Sequence, residues 1–219
     1  MAGVAAATAE MANELGGIRC GGKIMPVKVA NYAGRTEDQQ VAVGIRWAVD
    51  HGARVLNLSL GTRDIPEMRD AVLYAHSHDV VVVAASPGKY SAFPAPAMYP
   101  RVIAVGGSGN RDQPLNFGGH LAENLILAPA EDVLTTSLGG GYGNFLTSVS
   151  VATPHVAGVA ALLLLLRPDL TADQVMTAIR EGADLVTGQT GFDYVHGWGR
   201  LNAYRSLQIA QALPMATWD

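Results

Sequence analysis

The strongest candidate for chemistry in this sequence is the stretch SVSVATPHVAG at 148–158. A serine hydroxyl becomes a nucleophile when a base takes its proton and when fixed donors hold the oxyanion that forms. A helix N-terminus favours that negative charge, because its first N–H groups are free and its dipole is positive there. Ser150 stands at such a position, so it is a candidate nucleophile. The ordinary alternative is a serine that only caps a helix.

Other residue types give no second catalytic or metal-binding pattern. His155 lies close to Ser150, but five positions along a helix its side chain points to a different face, so it is a poor candidate for the base. The remaining histidines are scattered, and Cys20 is the single cysteine, which excludes an internal disulfide framework and a CxxC site. We expect no metal site from these residues.

The stretch 148–158 resembles the serine motif of the subtilisin-like serine peptidases, GTSMAxPHVAG, with Ser150 at the nucleophile position and PHVAG matched at 154–158. Other segments follow in the family's order over nearly all 219 residues: KIMPVKV, VLNLSLG, VVVVAAS, YPRVIAVGG, LAPAEDVLTTS and GWGRLNA. The resemblance implies hydrolysis of peptide bonds by a Ser-His-Asp triad.

The same resemblance implies a cleft in which an extended peptide or protein substrate bonds to strand edges. Two short segments, SLG and AAS, would edge that cleft. The implied cleft residues are Ser59, Leu60, Gly61, Ala84, Ala85 and Ser86.

Departures from the family's pattern at three positions bear on the oxyanion and on the turn before the nucleophile. Gly88 stands where the family has an asparagine that donates to the oxyanion, and glycine has no side-chain donor. Loss of one such donor lowers turnover roughly a hundred- to thousandfold, a magnitude taken from a subtilisin. Ser148 and Val149 replace the Gly-Thr of the motif, and glycine permits backbone geometry that serine resists. We therefore expect an impaired oxyanion site and an altered turn.

The catalytic histidine of the family lies in HGTxVAG, of which MAG at 1–3 matches only the end. The resemblance places that histidine, and the strand with the aspartate, before Met1. The expectation is a serine endopeptidase domain with an incomplete triad, inactive or barely active as this chain. Two alternatives stay open: a non-catalytic protein that binds peptides, and a chain completed by a partner that supplies the aspartate and the histidine.

Apolar runs of strand length alternate with helical periodicity along the chain, which predicts an α/β fold. We expect a single domain over 1–219, with a parallel sheet and helices on both faces, subtilisin-like but without its first strand or strands and the start of the histidine helix. Strands are predicted at 23–30, 54–61, 80–86, 102–107 and 124–130. Capping boxes are predicted at Thr36 with Gln39 and at Thr171 with Gln174.

Composition excludes some partners and leaves other questions open. The net charge of −4, without a basic stripe, argues against nucleic acid. The uncharged stretch 149–166 is long enough for a membrane span, but Pro154, His155 and the lack of a basic anchor favour a helix buried on all sides. Calcium sites occur in the family, yet no acidic loop has ligand spacing, so no cofactor is predicted. The sequence leaves localisation undetermined.

Overall fold

A four-stranded parallel sheet forms the centre of the protein, with strands in the order β1-β2-β3-β4. The computed structural model describes residues 1–9, 15–86, 91–115, 122–145 and 147–215. An antiparallel pair, β5 with β6, follows the sheet along the chain. The strands are β1 (Val55–Leu58), β2 (Val81–Ala85), β3 (Val102–Ser108), β4 (Leu125–Pro129), β5 (Val133–Thr136) and β6 (Tyr142–Phe145).

Helices cover both faces of the parallel sheet. One hydrophobic cluster joins one face to α2 and α3, and a second joins the other face to α4, α5 and α6. This arrangement confirms the predicted α/β fold. The helices of the described part are α1 (Ala2–Ala6), α2 (Asp38–Asp50), α3 (Pro66–Ser77), α4 (Val149–Leu166), α5 (Ala172–Gly182) and α6 (Ala203–Ala212).

Strand β2 shows why its sequence is apolar at every position. Val81 and Val83 pack into the cluster with α4, whereas Val82 and Ala84 pack into the cluster with α2 and α3. Successive side chains of a strand point to opposite faces, so a sheet covered on both sides needs apolar residues throughout. The strand is accordingly buried along its whole length.

Helix α4 is the core helix of the domain. It packs against all four strands of the parallel sheet, and Ala152, Val156 and Leu163 are fully buried. In the part of the chain that the structure describes, it is also the one helix long and apolar enough to cross a membrane. Burial explains most of that apolar character. The expectation of burial on all sides is wrong at the C-terminal end, where Leu165 is 59% and Leu166 41% exposed.

The predicted strand at 23–30 is not a strand in the structure. Val27 and Val29 pack against the cluster around α2, but the backbone of 23–29 makes no hydrogen bond with the described residues. A β-strand needs a neighbour to form a ladder, and within the described ranges β1 pairs with β2 alone. The apolar pattern therefore predicted the pairing of this segment wrongly, and its burial only at Val27 and Val29, which are partly buried, whereas Ile24 is 51% and Met25 39% exposed.

The two predicted capping boxes have opposite outcomes. Helix α5 begins with the complete box, because Thr171 and Gln174 exchange side-chain and backbone hydrogen bonds. Helix α2 begins after Glu37, which makes no capping bond, so the box at Thr36 is wrong. Asp38 instead turns its carboxylate to the backbone and side chain of Arg63.

Candidate active site

Ser150 is the second residue of α4, close to the end of β4. Ser148 is the N-cap: its backbone N–H donates to the carbonyl of Ala130 (3.0 Å), and its Oγ accepts from the N–H of Ser150 (3.1 Å). The φ of Ser148 is −161°, which is extended backbone that any residue adopts. Ser148 therefore occupies this turn without a strained φ, and the expected difference from the Gly-Thr turn of the family stays a prediction. The cap at Ser148 was not predicted, although a serine just before a helix is its usual signal.

Ser59 lies against Ser150 and holds it to the end of β1. The Oγ of Ser59 donates to the Ser150 carbonyl (2.9 Å), and the Oγ of Ser150 donates to the Ser59 carbonyl (3.4 Å). Asn57 adds a bond from its side-chain amide to the Oγ of Ser59 (3.0 Å). The structure thus brings the predicted nucleophile together with one of the predicted cleft residues.

The other predicted cleft residues lie at the C-terminal ends of β1 and β2, Leu60 and Gly61 just after β1, Ala84 and Ala85 as the last residues of β2, and Ser86 just after it. Leu60 and Gly61 are half-buried, and Leu58 of β1 pairs with Ala84 of β2. Ala84 and Ala85 are buried, so they contribute to a cleft through the end of the strand rather than through their side chains. The N–H of Ser86 donates to a carbonyl of β3. The predicted oxyanion position, Gly88, lies outside the described residues.

His155 is engaged within its own helix. Its Nδ1–H donates to the carbonyl of Val151 (2.9 Å), one turn earlier. Burial lowers the pKa of His155, which the bond to Val151 offsets in part, so the ring is neutral at pH 7. Within the described ranges, no hydrogen bond joins Ser150 to a histidine or to a carboxylate. The nucleophile and its helix are therefore present without an attached base.

A pocket of about 550 Å³ lies beyond Gly61, between the first turns of α2 and α3. Glu37, Asp38 and Glu67 line it, and acidic residues at helix N-termini complement the helix dipole. A Cβ on Gly61 would meet the backbone oxygen of Phe93 at 2.6 Å, so glycine allows the Phe93 wall of the pocket to approach. Gly61 of the predicted cleft thus lies next to Phe93, which lines this pocket of charged and apolar residues.

No group of three or more histidine, cysteine, aspartate or glutamate side chains in the described part of the chain is placed to hold a metal ion. Cys20 is exposed and forms no disulfide bond, so it is a free thiol. The candidate site therefore consists of hydroxyl groups, backbone groups and the N-terminus of α4.

A family model and individual known proteins both match this chain over most of its length. The model of the subtilase family matches residues 1–199. Thermitase from Thermoactinomyces vulgaris is 35% identical over 209 residues, which cover 94% of this chain and 73% of thermitase. A thermophilic serine proteinase from Bacillus sp. strain AK1 is 34% identical over 211 residues, covering 94% of this chain and 51% of that protein.

Among solved structures, fervidolysin from Fervidobacterium pennivorans is similar with a TM-score of 0.85 and 29% identity. The match covers 99% of this chain and 36% of the fervidolysin chain. Fervidolysin is described as a keratinolytic enzyme related to subtilisin. The present chain thus spans about half the length of the Bacillus proteinase and about a third of fervidolysin.

Proposed function

Because this chain belongs to the subtilase family of serine peptidases, we propose that it carries the nucleophile of a serine endopeptidase, with Ser150 attacking the peptide carbonyl. The observation that carries this proposal is the position of Ser150 in the first turn of a rigid core helix, joined by hydrogen bonds to the end of β1. A buried helix positions a side chain more accurately than a loop does.

In the proposed reaction, the Ser150 oxygen forms a bond to the carbonyl carbon while a base takes the hydroxyl proton. The carbonyl oxygen becomes an oxyanion near the N-terminus of α4, whose dipole favours negative charge. The C–N bond then breaks as the protonated base returns the proton to the leaving amine, and water hydrolyses the acyl-enzyme. Every step uses protein groups and water, so the proposal includes no metal or cofactor.

The proposed substrate is an extended stretch of a peptide or protein. Ser59, Leu60 and Gly61 follow an edge strand and are half-buried, which leaves backbone groups beside Ser150 for strand-like pairing. Nucleic acid and membrane are not part of the proposal, since the net charge is −4 and the apolar helix α4 is largely taken up by the core.

The base and its orienting carboxylate are proposed to come from a strand and helix outside residues 1–219, either joined to this chain or carried by a partner. Two observations favour this completion. Among the described strands β1 lies at the edge of the sheet, and the apolar segment 23–29 has no backbone hydrogen bonds with the described residues. An uncovered edge and an unpaired extended segment are places where an additional strand would bond.

A second candidate function is peptide binding without cleavage. The substitutions at Gly88 and Val149 favour it, because each alters the family's pattern at the nucleophile while the Ser59–Gly61 segment is kept. Binding to an extended peptide needs the strand edges only, whereas cleavage needs the base as well.

Hydrolysis of fluorescein-labelled casein distinguishes these functions. The 219-residue chain is assayed alone and after mixing with a thermitase fragment that contains the aspartate strand and the histidine helix of that relative. The Ser150→Ala variant is the control in both assays, and binding of an extended fluorescent peptide is measured in parallel. We expect hydrolysis only in the mixture, and only with Ser150 present.

Each other outcome changes the conclusion in a defined way. Hydrolysis by the chain alone that is lost in Ser150→Ala keeps the proposed reaction and removes the need for completion. Peptide binding with no hydrolysis in either assay supports the binding function instead. Equal hydrolysis by Ser150→Ala, or neither binding nor hydrolysis, would refute the proposed function.

A further inference from the structure

The backbone N–H of Ser150, the candidate nucleophile, already donates a hydrogen bond within the protein. Helix α4 leaves its first N–H groups without partners in the helix, and that of Ser150 is one of them. In serine peptidases an N–H of the nucleophilic residue itself is one of the donors that hold the oxyanion. Here that N–H donates to the Oγ of Ser148 at 3.1 Å.

The hydroxyl of Ser148 is held in this position by the backbone around it. The N–H of Ser148 donates to Ala130, just beyond β4, and its carbonyl accepts from the N–H of Val151 at 3.2 Å. Ser148 is therefore fixed on both sides, and its extended conformation directs the side chain to the N–H of Ser150. An oxyanion at Ser150 would have to displace this hydroxyl.

We propose that Ser148 attenuates the peptidase by competing with the oxyanion for the N–H of Ser150, while it stabilises α4 as an N-cap. The proposal rests on the proposed function of Ser150. It assigns one side chain two opposed effects: the cap lowers the free energy of the folded helix, and the same hydrogen bond weakens stabilisation of the transition state. Ser148 is a positioning residue here, since it acts through the N–H of Ser150.

The expected change follows from the strength of one hydrogen bond. Removing the Ser148 hydroxyl leaves the N–H of Ser150 in place and free to donate to the oxyanion. The gain in transition-state stabilisation then equals the strength of the competing hydrogen bond that is lost. A neutral hydrogen bond in a protein corresponds to about a two- to tenfold change in an equilibrium. We expect kcat/KM of Ser148→Ala to rise about two- to tenfold, although the variant is less stable because the cap is lost.

The test measures kcat/KM on a peptide substrate, with the chain completed by the thermitase fragment, for the parent, Ser148→Ala, Ser148→Gly and Ser148→Thr. Ser148→Gly keeps more of the helix stability than Ser148→Ala, because glycine is tolerated at an N-cap, and it decides the question if the alanine variant does not fold. Ser148→Thr retains the hydroxyl and is expected to behave as the parent. Thr171→Ala removes the equivalent cap of α5, so it controls for lost stability and is expected to show no gain.

Hydrogen exchange of the Ser150 amide provides a readout without activity, and it is expected to accelerate in Ser148→Ala and not in Thr171→Ala. A parent that hydrolyses substrate, with Ser148→Ala and Ser148→Gly equal to it or slower, would overturn this inference and leave the proposed function intact. Unchanged exchange of the Ser150 amide would overturn it as well. A complete lack of Ser150-dependent hydrolysis in all variants refutes the proposed function first.

Discussion

The polar groups around Ser150 hold the residue in place without activating it. Its Oγ donates to the Ser59 carbonyl and its N–H donates to Ser148, so both of its donors have neutral oxygen partners. A neutral carbonyl accepts a hydrogen bond but does not remove the proton, which requires a base of suitable pKa. Activation therefore needs a group that competes with the Ser59 carbonyl for the hydroxyl proton.

His155 allows a test at the residue scale that does not depend on activity. Burial lowers its pKa below the ordinary value of 6.5, so the unfolded chain binds a proton at pH values where the folded protein does not. The stability contribution of the neutral ring is complete above pH 6.5 and is lost as the pH falls from 6.5 toward the folded pKa. Within that window we expect a loss of about 1.4 kcal/mol per pH unit.

Urea unfolding of the parent and of His155→Gln between pH 5.0 and 7.5 measures this contribution, and the variant is expected to show the smaller decrease in stability at low pH. His51→Gln, which removes an exposed histidine beyond the end of α2, is the matched control. Identical pH profiles for the parent and His155→Gln would contradict the burial of a neutral ring.

At the scale of elements, the sequence predicted what depends on local chemistry and side-chain period. The apolar run of β2, the box at Thr171 and the helix after Ser150 are all present, because burial on both faces and capping leave direct marks in the sequence. The pairing of 23–30 depends on a neighbour elsewhere in the chain, so its own residues could not reveal it. The same holds for the contact between Ser59 and Ser150, which are 91 positions apart.

Helix α4 also packs closely against the start of the chain, and Gly158 makes that contact possible. A Cβ on Gly158 would lie 2.6 Å from the Cβ of Ile18 and 3.3 Å from the carbonyl oxygen of Ala5. Neither atom is the end of a flexible side chain, so α1 and the segment with Ile18 would have to shift. We expect Gly158→Ala to destabilise the protein by about 1–3 kcal/mol, the usual cost of overpacking.

Thermal and urea unfolding of Gly158→Ala check this prediction. Gly191→Ala is the matched control, since a Cβ there meets no atom within 4 Å and it introduces the same side chain. Equal stability of the two variants would show that the N-terminal segment does not pack against α4 in solution.

At the scale of the whole molecule, the interior strands of the parallel sheet differ from the apolar segment 23–29, which lies outside its ladder. The N–H groups of β2 and β3 lie in ladders between two strands, and their side chains are buried on both faces. The segment 23–29 packs Val27 and Val29, which are partly buried, against the cluster around α2, while its backbone bonds to none of the described residues. In this segment, partial burial of two side chains is therefore not accompanied by hydrogen bonds of the backbone.

Native-state hydrogen exchange tests that separation directly, because an amide is protected by its hydrogen bond and by the free energy needed to break it. We expect the amides of 81–85 to exchange only through global unfolding and those of 23–29 to exchange many times faster, despite their apolar sequence. Adding the thermitase fragment is expected to slow exchange in both 23–29 and 55–58, since each has backbone groups that an added strand could pair with, while 81–85 stays as it was. Slow exchange of 23–29 in the chain alone would mean that this segment pairs in solution. The proposed completion by an added strand would then lose the unpaired segment as one of its two supporting observations.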